Sequence, residues 1–260
     1  MDFKGKRVLI TGASSGIGAA LAVQFAKAGA ELILLGRNRE RLDAVAAQCA
    51  PAKSAVFTVD MASGESIDSF AAAFDEAGMD MDVMVLNAGI SQRALTFETD
   101  IEVDRKVMET NYFGPVRLAK KLSSHIVGKE HFSLAVTSSI SGLFGFPLRS
   151  AYCASKHALF GFFESLEIEN PNVRVTFLIP GRINTPISKS AVLGDGSTHA
   201  SMDQGQANGM SSEKCARIAL RAIAKGRHRK LIGGVELLMV YIKKYIPCLF
   251  FKLAGRVSAT

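Results

Sequence analysis

Seven short apolar runs punctuate the chain, at about 7–11, 31–35, 55–59, 82–86, 133–138, 173–179 and 230–233. Val, Ile and Leu dominate them with little alternation, the pattern of strands covered on both faces. Between them, apolar residues recur at helical spacing over about 16–28, 38–48, 64–77, 104–127, 152–169 and 212–225. Regular alternation of strand and helix predicts an α/β fold: a doubly wound parallel sheet of about seven strands with helices on both faces. Ligands of such sheets bind at the carboxyl ends of the strands.

Two regions break this rhythm. Residues 182–211 are rich in glycine and polar residues, as in Gly194-Asp195-Gly196-Ser197-Thr198, and a loop this long in a compact fold is expected to be a lid. The segment from about 237 to 253 is more apolar than a free terminus should be. Pro247 interrupts it, and Lys243, Lys244 and Lys252 charge it, so it is not expected to span a membrane. Covering the substrate entrance, forming a dimer contact and lying in a membrane interface are all open to it.

The first strand stops at Gly12-Ala13-Ser14-Ser15-Gly16-Ile17-Gly18, and a helical pattern follows through Leu21, Phe25 and Ala28. Strand, glycine turn and helix form the setting of a dinucleotide site. Gly12 permits the turn, while Gly16 and Gly18 let pyrophosphate and helix approach the backbone. The helix N-terminus offers free N–H groups to phosphate.

Tyr152 and Lys156 are four residues apart, so both project from one face of the helix expected at 152–169. Ser139 lies thirteen residues before the tyrosine. A phenol titrates near ~10, and bringing it to about 7 takes roughly 4 kcal/mol. One positive charge at ~4 Å in an effective dielectric near 20 supplies about that much. The pair is therefore expected to be an acid/base with a depressed phenol, and Ser139 a second donor to the same reacting oxygen.

Thr11 to Gly18, Asn87-Ala88-Gly89, Asn111, Ser139, Tyr152, Lys156 and Pro180-Gly181 together resemble the short-chain dehydrogenase/reductase family, in its order and spacing and over nearly the whole chain. The likeness extends to the branch holding dehydrogenase/reductase member 7 and the hydroxysteroid and retinoid enzymes, and it implies one Rossmann-type catalytic domain over 1–260. It also implies roles. Tyr152 exchanges a proton with the carbonyl oxygen, Ser139 binds that oxygen, Lys156 serves both phenol and nicotinamide ribose, and Asn111 bends its helix and holds a water that relays protons to Lys156. Gly12, Ser14, Ser15, Gly16, Ile17 and Gly18 would cradle the pyrophosphate. Asp60 would accept from the adenine amine, with Asn87, Ala88 and Gly89 beneath the adenosine. Pro180, Gly181, Ile183 and Thr185 would hold the carboxamide. Leu86 departs from the family, which often has a second asparagine there.

An NAD site places a carboxylate at the end of the second strand, which would repel a 2′-phosphate. Here Gly36 occupies that place and Arg37 follows, so NADP(H) is expected over NAD(H). Ser14 stands where some NADP-dependent members carry a basic residue.

Net charge is +7, dispersed apart from Arg227 to Lys230 and Lys243-Lys244, so phosphate cofactor and solubility are expected and nucleic acid is not. Cys49, Cys153, Cys215 and Cys248 lack ligand spacing, and the five histidines form no cluster, so no metal is expected. The first strand begins near residue 6, leaving no room for a leader, so the expected compartment is cytoplasmic with membrane association open.

These features predict an NADP(H)-dependent oxidoreductase interconverting a carbonyl and an alcohol. The apolar run Leu143–Leu148 should wall the reacting site and suit a hydrophobic substrate. Alternatives are a catalytically weak nucleotide-binding regulator and a membrane-peripheral lipid reductase. A homo-oligomer is expected, paired through the helices at 104–127 and 152–169, with Phe160, Phe163 and Leu166 as the apolar positions of the second.

Overall fold

A computed structural model describes residues 1–255. Its main sheet contains β1 (Arg7–Thr11), β2 (Glu31–Gly36), β3 (Ser54–Thr58), β4 (Val83–Leu86), β5 (Phe132–Thr137), β6 (Val173–Pro180) and, after a short parallel pair β7 (Ile183–Asn184) and β8 (Met210–Ser211), β9 (Arg229–Ile232). All seven main strands are parallel, in the order β3-β2-β1-β4-β5-β6-β9. The order reverses between β1 and β4, which opens a crevice at their carboxyl ends. Each expected strand lies within about two residues of its observed place.

The pleat sorts the sheet's side chains into two cores. Val8, Ile10, Leu32, Leu34, Val83 and Val85 face helices α1 (Gly16–Lys27), α2 (Arg39–Gln48) and α9 (Ser212–Ala224). Leu9, Ile33, Leu35, Met84, Leu86, Leu134 and Val136 face α3 (Gly64–Glu76), α5 (Gly114–Lys121) and α7 (Ser150–Glu169). Leu21, Ala22 and Phe25 of α1 pack against Cys215, Ala216, Ala219, Ala222 and Ile223 of α9, whose small residues permit close approach. Asn38, Ser63 and Ser211 start α2, α3 and α9 by accepting an N–H from the first turn.

The helix expected at 104–127 is broken. It comprises α4 (Ile101–Met108), a π turn over Glu109–Phe113, α5, and α6 (Ser123–Val127). The π turn holds Asn111, whose side chain bonds to Ile90 across the crevice. That tertiary tie favours a wider turn than the local pattern indicates. The insert at 182–211 is less open than its composition suggests, for it carries β7, α8 (Gln204–Ala207) and β8, and it buries Ala191, Val192, Ser188 and Asp203. The tail forms two short helices divided at Pro247, α10 (Leu238–Tyr245) and α11 (Pro247–Ala254). No helix among the described residues is long and apolar enough to cross a membrane.

Phe160 and Phe163 do not form the outer face of α7. Both are buried against the sheet, and Phe160 stacks on Phe177 at 4.5 Å between ring centres. The outward residues are Phe162, Ser165 and Leu166, which line a groove of about 400 Å³ with Lys120, Ser123 and Val127.

Candidate active site

The glycine turn is built from close contacts between backbones. A methyl group added to Gly18 would lie 2.2 Å from the Gly12 carbonyl oxygen and 2.6 Å from the Asn87 amide nitrogen. Gly12 has φ +66°, and a methyl there would meet the Ala88 Cα at 2.9 Å. The Thr11 hydroxyl accepts the N–H groups of Asn87 and Ala88 at 2.9 and 3.0 Å, fastening the end of β1 to the end of β4. Ser15 precedes α1 in extended conformation without capping it through its side chain, and no acidic residue occupies the first turn. The first-turn N–H groups therefore remain suited to an anion. Thr185, from the start of the insert, would lie 3.2 Å from a methyl on Gly16, so the proposed carboxamide ligand borders the turn.

Gly36 ends β2 with no carboxylate, and its missing methyl would be 3.4 Å from the Ser14 hydroxyl. Arg37 follows, exposed, before α2. Ser14 and Arg37 thus flank one corner of the crevice. Asp60 is half-buried after β3, with one carboxylate oxygen accepting the Ala62 N–H at 2.9 Å. Pro180 closes β6, and the Gly181 N–H donates to Ile232 at 2.8 Å.

Across the crevice, Ser139, Tyr152 and Lys156 meet beyond the end of β5. Ser139 is fixed by accepting the Ser141 N–H at 3.2 Å. Tyr152 and Lys156 occupy successive turns of α7, and both are buried. The Lys156 ammonium donates to the Thr137 carbonyl at 2.9 Å. Asn111 is fully buried rather than facing solvent. It accepts the Ile90 N–H at 2.8 Å and donates to the Ile90 carbonyl and the Ser155 hydroxyl, both at 2.9 Å. A methyl on Gly89 would meet the Asn111 carbonyl oxygen at 3.0 Å and the Lys156 ammonium at 3.2 Å, so these three residues converge.

The titration of the pair departs from expectation. Burial pushes the Tyr152 phenol up, while a hydrogen bond from Ser139 and the charge of Arg149 pull it down. The lysine stands 5.9 Å from the phenol ring centre, and its own burial brings it down to about 8. A full charge beside the phenol would lower it, but desolvation penalises the phenolate and the ammonium alike. The result is a protonated phenol next to a lysine that exchanges its proton close to neutrality.

Four further residues had no sequence motif to mark them. Gln92 is fully buried and accepts the Ala151 N–H at 2.9 Å, in the first turn of α7. Arg93 and Asp203 form a buried ion pair that Arg149 joins. Only Arg149 gave any signal, by its place immediately before the tyrosine segment. The apolar run Leu143–Leu148 precedes it. Phe144 is buried against Phe250 and Ala254 of α11, and Phe146 lies under the Arg149 guanidinium at 5.1 Å. The tail therefore packs on the apolar run that is expected to wall the reacting site.

Comparison with known proteins accords with this geometry. A family model described as short chain dehydrogenase matches residues 6–195. Dehydrogenase/reductase SDR family member 7B of Mus musculus is 39% identical over 255 residues, spanning 95% of this chain and 79% of that protein. Dehydrogenase/reductase SDR family protein 7-like of Drosophila melanogaster is 38% identical, spanning 97% and 80%. Among solved structures, a Burkholderia phymatum short chain dehydrogenase/reductase in complex with NAD superposes with TM-score 0.84 at 23% identity, covering 96% of each chain. A Thermococcus sibiricus alcohol dehydrogenase complexed with 5-hydroxy-NADP gives 0.76 at 26% identity, covering 89% of this chain and 97% of that one. With most of its length matched by the family model and relatives this similar across nearly all of it, the chain belongs to the short-chain dehydrogenase/reductase family of oxidoreductases.

Proposed function

We propose that the protein is an NADP(H)-dependent reductase or dehydrogenase acting on a hydrophobic carbonyl or alcohol, with Tyr152 as its general acid/base. The observation that carries this reading is the convergence of Ser139, Tyr152, Lys156 and Asn111 at the strand ends, facing the glycine turn across one crevice. The residues fit the cofactor. The uncapped start of α1 and the turn Gly12–Gly18 suit its pyrophosphate, Asn87 to Gly89 and Asp60 its adenosine, and Pro180, Gly181, Ile183 and Thr185 its carboxamide. Arg37 and Ser14, with no carboxylate at Gly36, suit a 2′-phosphate. When bound, the nicotinamide supplies or accepts hydride.

Tyr152 holds its proton at neutral pH and gives it to the carbonyl oxygen, while Ser139 donates a hydrogen bond to the same oxygen. Lys156 returns a proton to the phenol, which its position near pKa 8 permits. Asn111 braces the Ile90 segment against α7 and keeps its carbonyl oxygen close to the ammonium. NADPH and NADH consumption over steroid, retinal, quinone and aliphatic carbonyls tests the reading. No consumption with any of them would favour a nucleotide-binding regulator.

The tail supports a lipophilic substrate. We read it as a cap, because Phe250 and Ala254 pack on Phe144 in the site wall. Its outer face exposes Leu238, Tyr241, Tyr245, Ile246 and Phe251 beside Lys243 and Lys244, which favours the second reading, contact with an anionic membrane. Truncation after Gly234 separates the two. A cap raises KM for a bulky ketone when removed, whereas an anchor loses co-sedimentation with anionic liposomes and keeps its kinetics on a soluble substrate. Homodimerisation through α5, α6 and α7 would cover Phe113, Val127 and Ile168, which are exposed here, and a monomer by light scattering would count against it.

A further inference from the structure

Three segments distant in sequence meet at the start of α7 around one carboxylate. Asp203, in the insert, pairs with Arg93 from the loop after β4, and their side chains are 3% and 2% exposed. The Arg93 Nε donates to Asp203 at 3.0 Å, and its Nη1 donates to the Ser91 hydroxyl at 2.7 Å and the Gln92 carbonyl at 2.6 Å. Arg149, which immediately precedes α7, reaches the same carboxylate at 3.2 Å with a side chain only 16% exposed. His199 lies 3.5 Å from it, and the Asp203 N–H donates to the Ser188 hydroxyl at 3.4 Å. A buried ion pair gives little stability over an apolar replacement of the same volume. Two guanidinium groups around one carboxylate are therefore poorly explained by stability alone, and they adjoin the reacting tyrosine.

We propose that Asp203 is a latch that fastens the 182–211 insert to the catalytic helix and, through Arg149, regulates the proton affinity of Tyr152. Arg149 and Asp203 are thereby positioning residues for the reaction proposed above. The charged and polar groups around Tyr152 are Arg149 just before its helix, Cys153 and Lys156 on that helix, Ser139 from the end of β5, and Arg93 from the loop after β4. The two arginines favour the phenolate, and Asp203, paired with both of them, opposes their charge while the insert is closed. Moving Asp203 away would leave two positive charges near the phenol and make it more acidic. Closure of the insert thus keeps the proton on Tyr152 until a carbonyl oxygen takes it.

The test needs no turnover, so it stands apart from the reading of function. Phenolate absorbance is titrated in the full chain, and the same trace from Tyr152→Phe is subtracted to isolate Tyr152. Asp203→Asn, which preserves shape, is expected to move the transition to lower pH by roughly one unit, and Arg149→Met to move it to higher pH by a similar amount. Limited trypsin digestion reads the latch itself. Cleavage after the exposed Lys189 in the insert should accelerate several-fold in Asp203→Ala, with circular dichroism showing the fold retained. Shifts in the same direction for both charge variants, or none, would overturn the electrostatic role. Unchanged cleavage after Lys189 in folded Asp203→Ala would overturn the latch.

Discussion

The nucleotide side and the substrate side of the crevice are built in opposite ways. On the nucleotide side the fit is between backbones: Gly12 against Ala88, Gly18 against the Gly12 carbonyl, and the Thr11 hydroxyl spanning two strand ends. Neither Gly12 nor Gly18 can gain a methyl without moving backbone. On the substrate side the fit is between side chains from segments far apart in sequence, namely Phe144 on Phe250 and Arg93 and Arg149 on Asp203. A methyl on Gly145, in the apolar run on that side, would meet nothing within 4 Å. On the proposed function, one side is constrained to hold an invariant cofactor and the other has room to change with its substrate.

The largest expected effect lies where the two sides meet. Tyr152→Phe should lower turnover by about 10²–10⁴-fold with NADPH affinity nearly unchanged, as measured by steady-state kinetics and cofactor titration. Retained activity would remove the tyrosine from the chemistry. Next is a paired test of the contrast itself. Gly18→Ala should cost at least the ~1–3 kcal/mol of ordinary overpacking and weaken NADPH, because it meets backbone that cannot yield. Gly145→Ala should change neither the unfolding midpoint nor the cofactor affinity, and equal losses in the two variants would erase the distinction. Smaller still, Arg37→Ala should weaken NADPH by about ten- to a hundred-fold and leave NADH nearly unaffected. Equal loss for both cofactors would reject the 2′-phosphate role.

The smallest effect concerns pH. Lys156 titrates at about 8 in the fold against an ordinary value of 10.5, so the folded state holds fewer protons than the unfolded chain between those values. Its contribution to stability therefore rises with pH across that interval and is lost as pH falls through about 8. Lys156→Met should be more stable than the natural protein below pH ~8, with the advantage fading toward ~10.5. Urea midpoints at several pH values measure this, and a difference independent of pH would contradict a buried, readily deprotonated lysine.

The elements that carry the glycine turn and the Tyr152–Lys156 pair were legible because their patterns are local. A glycine turn between strand and helix, and a tyrosine one turn before a lysine, are patterns of neighbouring residues, and the apolar runs located all seven main strands. What stayed hidden depends on partners far along the chain. A bend at Asn111 was expected, but its form as a π turn tied to Ile90 was not. The direction of the Tyr152 shift depends on desolvation, which no spacing reveals. Phe160 and Phe163 suit an outer face equally well until the sheet beneath them is in place. Asp203 sits in a polar insert whose composition resembles a loose loop, and only the fold shows it buried between two arginines.

The packing of α1 on α9 also bears on how the chain is made. Ala216, Ala219 and Ile223, which pack on Leu21 and Phe25, leave the ribosome almost two hundred residues after them. Until then part of the apolar face of α1 lacks the cover that α9 gives it. A nascent chain halted before α9 should therefore be captured by holdases and cleaved readily by proteases.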